Sequence, residues 1–300
     1  MKIKSIFFIY LFLLIAILSC DKKEDNTFDK KSKEVPENPI GIVNEDNKAK
    51  IKNDCYKKFL TEREKVIENL KSASKIEANK IFIEYSKINK VILSEINEYE
   101  QKTLDRFYDE DENSKNDKIK LSSKLKNHQL RYEEMGEGYV NITTIPSFYN
   151  DMFKNYVTDD YKEYIRLISE ENKVTYSADA GLVITFKELG DRIISWENFI
   201  SKYPESKLVE EVKSFLKNYR LDYILGMDNT PTFERDFENQ TETNKKILYI
   251  NKENLEEFNR FLKEYPKSPT SMIIKLFIGN YKDKQEDELF DLIRNEVNKI

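Results

Sequence analysis

Histidine and carboxylate side chains carry most hydrolytic chemistry, and this chain of 300 residues contains a single histidine, His128. One histidine excludes a multi-histidine zinc site, and a Ser-His-Asp triad would have to be built on it. His128 lies in a polar stretch, which predicts a solvated helix residue with no orienting partner nearby in sequence. Carboxylate pairs such as Asp159 with Asp160, or Asp179 with Glu188, allow the hypothesis of a carboxylate-dependent hydrolase, although acidic residues are abundant throughout the chain.

The acidic run at 109–113 has acidic or amide side chains at positions one, three and five, as a calcium-binding loop does. Ser114 stands where such a loop needs its glycine, and Lys120 stands where it needs its bidentate glutamate. We therefore interpret the run as a solvated acidic turn. No glycine-rich phosphate loop occurs, because Gly136 and Gly138 alone are too little. The sequence predicts no metal, no cofactor and no catalytic residue.

The most distinctive short motif runs from Gly226 to Phe233. Glycine is expected to end the preceding helix, and the polar side chains that follow are expected to bond to nearby backbone in a turn before Pro231. Because ordered loops on rigid scaffolds often carry function, the motif is also a candidate interaction loop. Its candidate contact residues are Asp228, Asn229, Thr230 and Phe233.

The first 20 residues have the features of an export signal. Lys2 and Lys4 precede an apolar run from Ser5 to Leu18, shorter than the ~20 residues of a membrane span, and a strongly charged stretch follows Cys20. The segment Ile17-Leu18-Ser19-Cys20 resembles the lipobox of bacterial lipoproteins, although that pattern prefers leucine first and a small residue second. The resemblance implies cleavage after residue 19 and lipidation of Cys20; an uncleaved N-terminal anchor is the alternative.

Charge limits the partners of the mature chain. Removal of residues 1–19 takes away two lysines and no acid, leaving 48 basic and 55 acidic side chains. A nucleic-acid binder usually has a basic surface, so we expect no nucleic-acid partner. Only Cys55 remains beside the anchor, which excludes an internal disulfide, and its spacing to Phe59 predicts a packed free thiol.

Composition and periodicity predict an all-α body behind a tether. Residues 20–50 are polar, contain two prolines and lack any period, which predicts a flexible lipidated tether with a reach of about 30 Å. Residues 51–118 carry two amphipathic helical patterns separated by a short polar turn, which predicts a helical hairpin. The segment from Asp109 to Lys118 is the expected break, followed by a helical domain over 119–300.

The middle of the chain is the least regular part. Gly136 to Gly138 predicts a turn, and the alternation over 139–145 predicts a short strand, the one β element we expect. Helical spacing returns between Tyr149 and Ile168. The stretch from Ser177 to Gly181 is interpreted as the start of another helix.

An internal repeat with an offset of 62 residues spans about 193–225 and 255–287. Its first copy contains Trp196, Phe199, Tyr203, Pro204 and Ser206. The second copy has Phe258, Phe261, Tyr265, Pro266 and Ser268 at the equivalent positions. In each copy the apolar stripe predicts a helix that the proline ends, and the serine is expected to cap the next helix. Pro269 then occupies the favoured first helical position in the second copy.

The Phe-x-x-x-Tyr-Pro-x-Ser stretch of each copy resembles the helix junctions of tetratricopeptide-like lipoproteins. That resemblance implies stacked helix pairs and no particular binding residues. The offset departs from the family period of about 34 residues.

These features favour a membrane-anchored lipoprotein that acts as a non-catalytic binding or scaffolding module. We expect it in the cell envelope, on either face of the outer membrane, bound to the membrane through its lipid and to a protein partner. An immunity or inhibitor lipoprotein directed against a toxin or a lysozyme-like enzyme is the first alternative. A carboxylate-dependent envelope hydrolase is the second alternative.

Overall fold

The computed structural model describes residues 54–234 and 248–299, so the predicted signal segment, Cys20 and the tether lie outside the described residues. The described ranges contain ten helices and three two-stranded antiparallel sheets, which confirms the all-α prediction with minor β elements. The helices are α1 (Asp54–Leu70), α2 (Lys75–Leu104), α3 (Glu112–Asn127), α4 (Phe148–Phe153), α5 (Asp159–Glu171), α6 (Phe186–Lys202), α7 (Val209–Leu225), α8 (Lys252–Glu264), α9 (Pro269–Asn280) and α10 (Glu286–Val297). The strands are β1 (Leu130–Gly136) with β2 (Tyr139–Thr144), β3 (Ser177–Ala178) with β4 (Gly181–Leu182), and β5 (Gly226–Met227) with β6 (Thr230–Pro231).

Helices α1 and α2 form the predicted hairpin. Ser74 starts α2 with a capping box, in which its side chain accepts from the backbone of Glu77 and the glutamate accepts from the backbone of Ser74. Phe59 and Ile92 are fully buried, as their spacing predicted. Cys55 is a buried free thiol, and burial raises its pKa, so it is a packing residue as expected.

The predicted break after the hairpin is shorter than expected. Helix α3 already begins at Glu112, because the Asp111 side chain accepts from the backbone N–H groups of Asn113 and Ser114 and so caps the helix. The boundary predicted between residues 118 and 119 therefore falls inside a helix. His128 ends α3 half-buried, with Nδ1 2.7 Å from the Lys124 carbonyl oxygen, and is not the fully solvated residue predicted.

The strand predicted over 139–145 is confirmed as β2, but its partner β1 was missed. Strand β1 lacks a clean alternation because the run Arg131 to Met135 is mostly polar. The helix predicted to open at Ser177 is wrong: Ser177 to Gly181 forms a tight hairpin, and α6 begins only at Phe186. Thr185 supplies the capping box of that helix together with Glu188.

The two repeat copies have the same geometry. Tyr203 and Tyr265 end α6 and α8 with φ/ψ of −128°/57° and −126°/55°, and their N–H groups donate to the carbonyls of Phe199 and Phe261. The copies place α6 against α8 and α7 against α9, so the helix pairs stack as predicted. The caps differ, however, because Ser268 is the N-cap of α9 whereas α7 begins only at Val209, after Leu208. Pro269 presets the first helical φ in the second copy, and the first copy has no proline there.

Buried polar groups connect successive helices of this stack. The Glu171 carboxylate on α5 accepts from Trp196 Nε1 at 2.7 Å and from the Tyr219 hydroxyl at 2.8 Å, so it joins α5 to α6 and α7. Burial raises the pKa of Glu171, because the charged form loses its hydration. Glu257 on α8 accepts from the Tyr223 hydroxyl at 2.8 Å, which joins α8 to α7 in the same manner.

Candidate functional site

Three hairpin turns from distant parts of the sequence meet on the surface. Their tips are Glu137-Gly138, Asp179-Ala180 and Asp228-Asn229, which connect β1 to β2, β3 to β4 and β5 to β6. We call these tips and their strands the hairpin cluster. It brings the predicted turn at Gly136 to Gly138 and the predicted interaction loop together with Ser177 to Gly181, the segment predicted to start a helix.

Direct hydrogen bonds connect the second and third hairpins. The Asn229 backbone N–H donates to the Ala180 carbonyl at 2.9 Å, and its side-chain Nδ2 donates to the Asp179 carbonyl. Thr230 Oγ1 accepts from the Leu182 backbone N–H at 3.0 Å. The sequence predicted that these polar side chains would bond to nearby backbone, whereas Asn229 and Thr230 bond to a hairpin about fifty residues earlier.

The tips adopt backbone conformations that must be stabilised by their surroundings. Glu137, Asp179 and Ala180 have φ of 50°, 50° and 51°, a region that costs a residue with a Cβ about 1–2 kcal/mol. Two successive residues with positive φ produce the twist that a two-residue hairpin turn needs. The bonds from Asn229 hold this second tip in place, so the second and third hairpins have a fixed arrangement.

Gly136 is where the first hairpin touches the second. Its φ is +90°, and a Cβ added there would lie 2.7 Å from the backbone nitrogen of Asp179. No side chain fits at that distance unless the two hairpins move apart. Gly138 offers a matched comparison, since its φ is +80° but nothing lies within 4 Å of an added Cβ.

We expect Gly136→Ala to separate the first two hairpins. Gly138→Ala should lower the free energy of unfolding only by the strain of an alanine in the left-handed backbone region, about 1–2 kcal/mol. Gly136→Ala carries that strain and also displaces the Asp179 backbone, so its loss of unfolding free energy should be clearly larger. Chemical denaturation gives both values, and hydrogen exchange at residues 177–182 should rise only for Gly136→Ala. Equal effects of the two substitutions would contradict the contact.

The hairpin cluster is acidic. Its strands and tips carry five carboxylates and a single arginine, Arg131. Arg131 Nη2 donates to Glu133 Oε1 at 3.2 Å and to the Asn172 carbonyl oxygen at 2.8 Å. The side chains at the tips, Glu137, Asp179 and Asp228, are exposed. Beside the first tip Tyr139 is 69% exposed, which adds an aromatic side chain to the charged surface.

The structure separates the four residues of the predicted interaction loop. Asp228 and Asn229 are exposed and Thr230 is partly covered, all three within the third hairpin. Phe233 lies in the core, where its ring centroid is 5.5 Å from that of Phe277 and 6.2 Å from that of Phe290. Phe233 is therefore a packing residue and not an accessible contact. The second hairpin was not predicted from the sequence, although Asp179 and Gly181 are turn-forming residue types.

Two of the four carboxylates weighed for hydrolysis, Asp160 and Glu188, have structural partners. Asp160 accepts from the hydroxyls of Thr158 and Ser206, the latter at 2.6 Å. Glu188 accepts from the backbone N–H and hydroxyl of Thr185, and these bonds lower its pKa. Asp179 lies at a hairpin tip. Within residues 54–234 and 248–299, no group of three or more His, Cys, Asp or Glu side chains is arranged to hold a metal ion.

The chain matches no protein-family model, no curated protein and no solved structure. Among the described residues, no helix is both long enough and apolar enough to cross a membrane.

Proposed function

We propose that the chain is a bacterial lipoprotein, anchored through Cys20, whose helical body is a non-catalytic binding module in the cell envelope. The hairpin cluster is the surface that contacts a protein partner. One observation supports this proposal: three acidic hairpins from separate parts of the sequence converge, the second and third joined by hydrogen bonds and the first in close contact with the second at Gly136.

The fixed shape of the hairpin cluster favours binding. A surface that is already ordered loses little conformational entropy when a partner docks. Its negative charge favours a partner with a basic face, which would associate faster at low salt. The same charge would repel the phosphates of a nucleic acid, so the partner we propose is a protein.

Neutralising the tips tests this surface. The triple variant Glu137→Gln, Asp179→Asn and Asp228→Asn removes three charges but keeps side chains that tolerate these turns. The control, Glu64→Gln with Glu210→Gln and Glu253→Gln, removes the same charge from exposed helix positions. We expect affinity capture from envelope fractions to recover a partner with the wild type and the control, and to lose it with the tip variant. Equal recovery by both variants would contradict the proposal.

The acidic tips also favour the immunity or inhibitor function as a second candidate. A toxin or lysozyme-like enzyme with a basic surface around its active site would be complementary to the hairpin cluster. The test is inhibition of such an enzyme by the purified body, with loss of inhibition in the tip variant but not in the helix control. Unchanged enzyme activity in the presence of the wild-type body would contradict this second candidate.

The proposed anchor has its own test. We expect Cys20→Ala to abolish lipidation and maturation, because the thiol at the end of the apolar run is the expected acceptor. Metabolic palmitate labelling followed by electrophoresis measures this, and label that persists on the variant would contradict the anchor. Protease treatment of intact cells tests whether the proposed outer-membrane lipoprotein faces outwards.

A further inference from the structure

A second candidate binding site lies between α1 and α4, and it goes beyond the proposed protein contact. A cavity of about 210 Å³ opens there. Its walls are largely apolar, with one cation and one carboxylate: Arg63, Ile67, Leu70, Phe148, Asp151 and Met152 are among its lining residues.

Arg63 is exceptional among the arginines of the described residues. The other seven each donate to a carboxylate or a carbonyl. Arg63 has no hydrogen-bond partner or ion pair among residues 54–234 and 248–299, and its Nε is fully buried without an acceptor. Leaving a buried N–H of a charged group unpaired is costly, so this group requires an explanation.

The guanidinium is also held in position. Its central carbon lies 5.8 Å from the centroid of the Phe148 ring, a cation–π contact. Phe148 is itself buried and packs against Phe59, with ring centroids 5.7 Å apart. Arg63 lines the cavity, and its two Nη groups have no hydrogen-bond partner among residues 54–234 and 248–299.

The neighbouring carboxylate does not satisfy Arg63. Asp151 lines the same cavity but is paired with Lys154, whose Nζ is 3.6 Å from its Oδ1. The cavity therefore combines apolar walls with an unpaired cation whose planar edge matches two carboxylate oxygens.

We infer that this cavity binds a small organic carboxylate, with the carboxylate on the guanidinium edge of Arg63 and a compact apolar body against Leu70, Phe148 and Met152. The volume is below the about 300–1,000 Å³ typical of sites for drug-sized ligands, which favours a compact molecule. The ligand would supply acceptors for the Nη groups of Arg63, which have no partner among the described residues.

Calorimetric titration of the full-length chain with 3-phenylpropanoate and hexanoate tests this inference, with 3-phenylpropan-1-ol as the neutral counterpart. We expect a carboxylate to bind and the alcohol to bind at least about tenfold more weakly, because a hydrogen bond between charged groups is lost. Arg63→Met should weaken carboxylate binding at least about tenfold. Lys65→Met removes the same charge from an exposed position on the same helix and should leave binding unchanged.

A second variant keeps the test decisive if Arg63→Met does not fold. Ile67 is 39% exposed at the cavity, so Ile67→Trp should fill the space without changing the charge. We expect it to abolish binding while the helical circular dichroism spectrum is kept. The inference is overturned if neither carboxylate binds the wild type, if the alcohol binds equally well, or if a folded Arg63→Met or Ile67→Trp variant binds as the wild type does.

Discussion

Replacing Phe261 with alanine is expected to lower the free energy of unfolding by about 3–5 kcal/mol. Phe261 is 0% exposed on α8, and its ring centroid lies 5.5 Å from that of Tyr223 on the neighbouring α7. The substitution removes apolar contact and leaves a cavity between the stacked helix pairs. Such a loss is a large share of the about 5–15 kcal/mol that stabilises a typical domain.

The repeat predicts an order among its aromatic residues. Phe199 occupies the equivalent buried position, so Phe199→Ala should lower the free energy of unfolding by a similar amount. Tyr203 and Tyr265 are half-buried, so their alanine variants should lower it less. Met272, which is 60% exposed on α9, is the control, and its alanine variant should change stability by about 0.5 kcal/mol or less. Chemical denaturation followed by circular dichroism measures each value. If Phe199→Ala and Phe261→Ala both leave the free energy of unfolding unchanged, the aromatic stripe is a surface and not the interior of a helix stack.

Replacing Glu197 with methionine is the second substitution for which we expect a large effect, about 3–5 kcal/mol. Glu197 on α6 accepts from Arg220 Nη2 at 2.9 Å, from Ser268 Oγ at 2.6 Å and from Thr270 Oγ1 at 2.6 Å. Arg220 is 4% exposed, so the substitution leaves its guanidinium buried without a counter-charge. Because Ser268 and Thr270 begin α9, the same carboxylate also fixes the start of the second repeat.

A double variant distinguishes the buried charge from the rest of the network. Adding Arg220→Met to Glu197→Met removes the unpaired cation, so the double variant should be more stable than Glu197→Met alone. Glu170→Met breaks the exposed pair with Lys173 and should change stability by less than about 1 kcal/mol. A double variant at least as unstable as Glu197→Met would show that the ion pair does not account for the loss.

Much of the fold was predictable from local patterns. The stripes through Phe59 and Ile92 defined the first helical hairpin, and the offset of 62 residues predicted two equivalent helix pairs. Proline and glycine marked where helices end, as Tyr203 before Pro204 and Gly226 after α7 confirm. These signals are readable because helix periodicity and helix termination depend on residues within a few positions of one another.

The candidate sites were predictable only in part. Asp228 to Thr230 were identified from their turn chemistry, but the sequence did not indicate that Asp179 would meet them, or that Gly136 would meet Asp179. Phe233 was predicted to be a contact residue of the same loop, because a single sequence does not show whether an aromatic side chain is exposed or buried. The unpaired Arg63 was not recognised, because an arginine is unpaired only by virtue of what surrounds it.

The sequence alone therefore determined the helical class, the repeat, the helix ends and the motif on which the Cys20 prediction rests. Each follows from residues close together in the chain, whose spacing sets which face is apolar and where the backbone can no longer continue a helix. The tertiary structure alone decided which turns form the hairpin cluster, how Glu197 links α6, α7 and α9, and which cavity contains Arg63. Those features depend on how helices pack against one another, and packing joins residues far apart in the chain, 23 to 73 positions in the Glu197 network, whose proximity no local pattern encodes.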